Sequence, residues 1–236
     1  MSSPASALTV RVGVGAPNFG DVVAIARGHA LVELSVDALS EIRASRRTVD
    51  ALACDPKPQY GVSTGFGALA TRHIPPAKRT ELQRSLLRSH AASSGAEVDR
   101  EVIRAMMFLR LSTLATGRTG VQEDTALSYG AMLSAGITPV VREYGSLGCS
   151  GDLAPLAHCA LALIGEGQVR DSEGGAHQHV ALESCVVWCG CDSECGRVFC
   201  SALSAGRGGG ADVSGECEGS RLLVSAAGAE PGDGVF

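Results

Sequence analysis

Between Gly145 and His158 the chain reads Gly-Ser-Leu-Gly-Cys-Ser-Gly-Asp-Leu-Ala-Pro-Leu-Ala-His, a glycine-rich loop that runs without a break into an amphipathic helix. Leu153, Leu156, Ala157, Ala160, Leu161 and Ile164 recur at helical spacing and predict an apolar face. Asp152 stands where an N-cap belongs, and Pro155 falls in the first turn, where its missing N–H does no harm. The loop therefore delivers Ser150 to a helix N-terminus, where unpaired N–H groups and the helix dipole favour developing negative charge. The plainest use of such a stretch is a turn and a cap. A serine-hydrolase elbow fits poorly, because Gly-x-Ser-x-Gly needs a glycine where Asp152 stands.

Upstream, the pattern predicts helices in most of the chain. A short strand is expected at Leu8–Val12, and Asp21 is expected to cap a short helix ending at Ala26. A longer helix is expected from about Val36 to Ala53, stopped by Pro56 and Pro58. The next helix is expected from about Thr80, with Leu82, Leu86 and Leu87 inward and His90 near its end. Glu97–Ala115 shows the clearest period, with Ile103, Met107, Leu111 and Leu114 in register and Gly117 as the stop. A further helix is expected over Val121–Ala135. The Met106-Met107 pair of the Glu97–Ala115 helix reads as core filling rather than a metal site.

The loop Tyr60-Gly-Val-Ser-Thr-Gly-Phe-Gly67 contains Gly65-Phe-Gly67-Ala-Leu-Ala70, which imitates a dinucleotide fingerprint. That fingerprint needs a long helix after it within a βαβ unit, and Pro75 and Pro76 are expected to break one early, so no nucleotide site is expected. Taken alone, Tyr60 is a surface hydrogen-bonding residue and His90 a capping or satisfied core histidine.

Taken together, three motifs in order resemble the aromatic amino acid ammonia-lyases, the histidine, phenylalanine and tyrosine lyases, over about residues 8–183. In that family an Ala-Ser-Gly tripeptide closes into a methylidene-imidazolone (MIO), an electrophile made from the protein's own backbone. Here the tripeptide is Cys149-Ser150-Gly151, and residue 149 contributes only its carbonyl carbon to the ring. The octapeptide at Tyr60 resembles the family's Tyr-Gly-x-Asn-Thr-Gly-Phe-Gly loop, with Ser63 in place of the usual Asn. The resemblance implies that Tyr60 is the catalytic base, that Ser150 becomes the methylidene, and that Asp152 supports the helix end beside it. Ser89-His90-Ala91 resembles the histidine-lyase branch, which implies that His90 binds the substrate's imidazole. It further implies a mainly α fold, the N-terminal portion of a helical bundle with little β. It implies ammonia elimination from L-histidine to urocanate, an MIO group with no metal or nucleotide, and a cytoplasmic homotetramer. A tyrosine or phenylalanine lyase or aminomutase, and a truncated fragment without activity, are the alternatives.

Composition limits the partners. A net charge of −5 without a basic run argues against nucleic acid, and no run approaches the roughly 18 apolar residues of a membrane span. The character of the chain changes near Ser184, which divides residues 1–183, with the MIO loop at 145–152, from a Cys/Gly-rich tail at 184–236. The tail holds Cys185, Cys189, Cys191, Cys195, Cys200 and Cys217 of the 9 cysteines, and it lacks lysine, isoleucine and methionine. Its spacings offer no Cys-x2-Cys knuckle, so no zinc site is expected. It reads as a disordered or frame-shifted extension, and a chain of this length without the family's later segments is expected to be poorly folded.

Overall fold

The computed structural model describes residues 8–149 and 151–178. The tail at 184–236 and Ser150 itself lie outside the described residues. Six α-helices and seven short strands occur among the described residues, which makes the fold mainly α as expected.

The chain enters through β1 (Thr9–Val12), crosses by α1 (Phe19–Ala26), and pairs β2 (Leu31–Leu34) parallel to β1. In β1 the alternation of exposed Thr9 and Arg11 with buried Val10 and Val12 is the half-buried pattern of period two. Asn18, not Asp21, is the N-cap of α1. Its side chain accepts from the Asp21 N–H at 2.8 Å, and the Asp21 carboxylate accepts in return from the Asn18 N–H at 3.3 Å. The expected acidic cap is thus the third residue of a reciprocal capping box.

Helix α2 (Val36–Cys54) follows a Ser35 cap and buries Ala38 and Ile42. Helix α3 (Pro76–His90) starts four residues earlier than its pattern suggested, because Pro76 takes the first helical position rather than breaking the helix. Strand β3 (Ser94–Glu97) occupies residues that separate α3 from α4 (Arg100–Ala115). The latter begins three residues later than its apolar period implied. Helix α5 (Glu123–Ser134), strands β4 (Thr138–Pro139) and β5 (Arg142–Tyr144), helix α6 (Leu153–Leu163), and strands β6 (Gln168–Arg170) and β7 (Ala176–Gln178) complete the described chain. Strand β5 pairs antiparallel with β3, and β4, β6 and β7 form a small antiparallel sheet.

The core is organised on α4. Ile103, Met107, Phe108, Leu111 and Leu114 are buried against Ile25 of α1, Ile42 of α2, and Met132 and Leu133 of α5. Arg104 lies among them at 0% exposure, donating to the carbonyls of Ile25 at 3.0 Å and Leu133 at 3.1 Å. The guanidinium thereby satisfies carbonyl oxygens at two neighbouring helix ends that the core seals from water. Burial, with a smaller contribution from the charge of Arg100, pushes its pKa down to about 10. No helix among the described residues is long and apolar enough to cross a membrane.

Candidate active site

The three motif-bearing segments converge on one cleft of about 440 Å³. Gly61 and Val62 of the Tyr60 loop, His90 at the end of α3, and Leu153 at the start of α6 all line it. Helices α2 and α5 complete its walls. The volume is in the range of pockets that hold small organic ligands.

The Tyr60 loop is closed by Ser63, the residue that stands in place of the usual Asn. Ser63 is fully buried; its hydroxyl accepts from the Gln59 N–H at 2.9 Å, and its own N–H donates to the Gln59 carbonyl at 3.0 Å. Its carbonyl accepts from the Ile74 N–H, so one residue fixes both ends of the loop. Tyr60 is 66% exposed on this loop. Its ring stands edge-on to Phe66 with centroids 5.9 Å apart, and its hydroxyl accepts from the Gly67 N–H at 3.4 Å. The phenol is positioned by its own loop rather than sunk in the core.

His90 is held by its helix. Nδ1 lies 2.8 Å from the Leu86 carbonyl and 3.0 Å from the Ser89 hydroxyl, which itself donates to the same carbonyl at 2.8 Å. A carbonyl only accepts, so Nδ1 carries the hydrogen. Nε2 is then the ring's acceptor, suited to a ligand ring that brings an N–H or O–H.

The electrophile-forming stretch leaves β5 and enters α6. Gly148 and Gly151 adopt left-handed backbone angles, φ +65° and +74°, on either side of Cys149-Ser150. The Asp152 carboxylate accepts from the Ser146 hydroxyl and from the Leu147 N–H at 3.1 Å, drawing residues 146 and 152 together. Asp152 does occupy the N-cap position of α6, but its side chain makes no capping bond. The correction has a local cause: the carboxylate is taken by the loop before it. The first-turn N–H groups of α6 therefore receive no capping bond from the Asp152 side chain, at the helix end where the sequence favours developing negative charge.

Two residues without an assigned role tie these parts together. The Ser93 hydroxyl accepts from the Arg142 N–H at 3.2 Å and lies 2.8 Å from His158 Nε2. Ser93 follows α3 by three residues, so it links the end carrying His90 to β5 and α6 on either side of the 145–152 loop. Gly145 allows the packing, because a Cβ there would meet the Ala92 carbonyl at 2.9 Å. Burial, and secondarily the Arg142 charge, hold the His158 pKa below its ordinary value. The visible signal was His158 as the lone polar residue in an otherwise apolar helix.

Of the expected site residues, His90 lines this cleft; Tyr60 directly precedes its lining residues Gly61 and Val62, and Cys149, Gly151 and Asp152 lie in the loop before Leu153 without lining it; Ser150 lies outside the described residues. Cys149 is a free, exposed thiol in the loop, and Cys159 on α6 is buried, with its pKa pushed up to about 12 by that burial. No group of three metal-ligating side chains occurs among the described residues.

The glycine-rich loop leads into α6, whose first residue, Leu153, lines the same apolar cleft as His90 and as Gly61 and Val62 of the Tyr60 loop. The chain belongs to the aromatic amino acid lyase family, whose profile matches residues 18–185. It is 59% identical to the histidine ammonia-lyase of Streptomyces coelicolor over 166 residues, which is 70% of this chain and 32% of that protein. It is 45% identical to the tyrosine 2,3-aminomutase of Myxococcus fulvus over 150 residues, 64% of this chain and 28% of that one. The fold matches the crystal structure of histidine ammonia-lyase from Trypanosoma cruzi with a TM-score of 0.66 at 31% identity, over 72% of this chain and 32% of that one. The chain thus spans about a third of the length of the curated relatives it matches.

Proposed function

We propose that this chain carries the electrophile-forming and base-bearing part of a histidine ammonia-lyase, which eliminates ammonia from L-histidine to give urocanate. The observation that supports it most is that Gly61 and Val62 of the Tyr60 loop, His90, and Leu153 at the head of the helix that follows the 145–152 loop line one cleft.

The residues fit the MIO group. Ring closure joins the Gly151 nitrogen to the Cys149 carbonyl carbon with loss of one water, and Ser150 loses its hydroxyl as a second. The chain needs a backbone that can fold back there. Gly151 has φ +74° with nothing within 4 Å of the place a Cβ would take, and the Asp152 bonds already draw the loop's ends together. Cys149 supplies no side-chain atom, so its thiol is no obstacle. Once formed, the group supplies an electron-poor carbon that activates the substrate toward loss of ammonia.

The side chains do the rest. Tyr60 takes the β-proton as general base. His90 accepts the substrate ring's N–H at Nε2 and so orients the β-carbon. The uncapped N–H groups at the start of α6 stabilise negative charge on the ring oxygen. The substrate is an amino acid, and the assembly is the homotetramer of a cytoplasmic enzyme. An aminomutase or lyase acting on tyrosine is the second reading, favoured by the 45% identity to such an aminomutase. His90 bears on it only partly, since a phenol can also donate to Nε2.

The test is the chain co-expressed with the later two thirds of the Streptomyces coelicolor relative. The peptide containing Cys149-Ser150-Gly151 is expected to be lighter by two waters, and the preparation to release ammonia from L-histidine. Ser150→Ala is expected to abolish both. Undiminished turnover in that variant, or ammonia release from tyrosine with none from histidine, defeats the reading.

A further inference from the structure

The loop from Gly145 to Asp152 is tied on both sides to one side chain outside it. On the entry side the Ser93 hydroxyl accepts from the N–H of Arg142 in β5 at 3.2 Å; on the exit side it lies 2.8 Å from Nε2 of His158, in the second turn of α6. Ser93 is itself fixed to the entry strand. Arg142 Nη1 donates to the Gly95 carbonyl at 2.9 Å, β3 pairs with β5, and a Cβ on Gly145 would lie 2.9 Å from both the Ala92 carbonyl oxygen and the Ser93 Cβ. Packing does not call for the hydrogen bond between Ser93 and His158: β5 has its partner in β3, and α6 is seated in the core through Cys159, Ala162 and Leu163. What the bond adds is a fixed span between β5 and α6. Within that span the Asp152 carboxylate accepts from the Ser146 hydroxyl and the Leu147 N–H, so the loop is closed once from inside and once from outside.

We propose that Ser93 and His158 are positioning residues for formation of the MIO group: their hydrogen bond fixes the two ends of the 145–152 loop at the separation that ring closure needs. The inference rests on the MIO reading above. Closure joins atoms two residues apart in a segment whose glycines at 148 and 151 leave the backbone free to take many conformations, so the frequency of their meeting is set by what restrains the ends. Restraint of this kind lowers the entropic barrier to an intramolecular reaction. The atoms balance without an oxidant or reductant. The Gly151 nitrogen bonds the Cys149 carbonyl carbon, and its proton passes to the carbonyl oxygen. That oxygen leaves as water with the Ser150 amide proton as a C=N bond forms, and Ser150 then gives up its Cα proton and its hydroxyl as the second water. Neither Ser93 nor His158 supplies an atom to the ring, so each acts through the loop.

The chain is co-expressed with the later two thirds of the Streptomyces coelicolor relative, and the peptide containing residues 149–151 is weighed in samples taken at successive times after synthesis is stopped. The wild-type peptide is expected to lose two waters. Ser93→Ala and His158→Leu should slow that loss by about ten-fold or more, in the range that small misplacements of reacting groups produce. Ser93→Thr and His158→Gln, which keep a hydrogen-bonding group at each position, should restore most of the rate. Ser134→Ala is the control for stability: it removes a hydroxyl that accepts from the Val32 N–H at 2.9 Å, between α5 and β2, and should leave the rate unchanged. Circular dichroism and urea midpoints are recorded for every variant, and if Ser93→Ala does not fold, the two His158 variants read the same contact from the α6 side. Wild-type rates in Ser93→Ala and His158→Leu, or an equal slowing in Ser134→Ala, overturn the proposal and leave the MIO reading standing. A wild-type peptide that keeps both waters overturns the two together.

Discussion

The framework around α4 and the rim around the cleft are built on opposite terms. In the framework, Phe108, Met107 and Leu111 are fully buried, and even the cation Arg104 finds its acceptors within the described chain. At the rim, Tyr60, Leu147 and Leu153 are 66%, 87% and 60% exposed. The polar bonds of the rim are short-range: Tyr60 to Gly67, His90 to Leu86, Asp152 to Ser146. The framework completes its polar bonds within the described residues, whereas the rim holds its polar groups on local loops beside exposed apolar side chains. Stability and chemistry are therefore carried by separate residues, and substitutions should separate them.

The largest separation is expected between two aromatic residues. Tyr60→Phe, measured in the co-expressed assembly, should lower kcat by about 10²–10⁴ as loss of a general base does, with the denaturation midpoint almost unchanged. Phe108→Ala should cost about 3–5 kcal/mol of folding stability, because it empties a site sealed on all sides by α1 and α5. A Tyr60→Phe variant that turned over normally would remove the base assignment. A Phe108→Ala variant that unfolded at the wild-type denaturant concentration would remove the distinction between the regions.

A pair of glycines sharpens it at smaller amplitude. Gly117 and Gly151 have nearly the same backbone, φ +67° and +74°, so each pays a similar left-handed penalty on gaining a side chain. They differ in surroundings: a Cβ on Gly117 would lie 2.6–2.7 Å from Glu41 of α2, whereas nothing lies within 4 Å at Gly151. Gly117→Ala should therefore destabilise by about 2–4 kcal/mol, and Gly151→Ala by only about 1–2 kcal/mol, in urea titrations. Gly151→Ala should still lose the two-water mass change at residues 149–151, since ring closure needs that backbone free. Equal stability losses would show that the rim is packed as tightly as the framework.

The same division explains what could be read from the sequence. The core face of α4 was legible because apolar residues at a period of 3.6 answer to burial alone. Helix ends were less legible: Pro76 was taken as a breaker and is an initiator, and Asn18 holds the cap expected of Asp21. Both are decided by one or two hydrogen bonds, which a hydrophobic pattern does not record. Strand β3 was missed because Ser94–Glu97 has no apolar alternation; its pairing comes from β5, nearly fifty residues away. At the site, residue types at Tyr60, His90 and Cys149-Ser150-Gly151 were legible through resemblance. The partners that hold them, Ser63, Ser93 and His158, were not, because they act through contacts distant in sequence or through a buried hydroxyl that could as well have been a surface serine.

The smallest expected effect concerns the link between the regions, His158 with Ser93. Burial and Arg142 hold the folded-state pKa of His158 below its ordinary value of 6.5. Above that value the ring is neutral in both the folded and the unfolded chain, and titration contributes nothing. As the pH falls below 6.5 the unfolded chain takes up a proton that the folded chain refuses, so stability is lost until the folded-state pKa is reached and then levels off. His158→Gln removes this titration while leaving a polar side chain opposite Ser93, and should flatten the decline of the denaturation midpoint over that window. The slope should not vanish, because His29 is shifted in the same direction by burial and by Arg100 and Arg104. An unaltered pH profile in His158→Gln would mean that the protonated ring is tolerated between the rim and α6, and that burial and Arg142 do not hold it neutral.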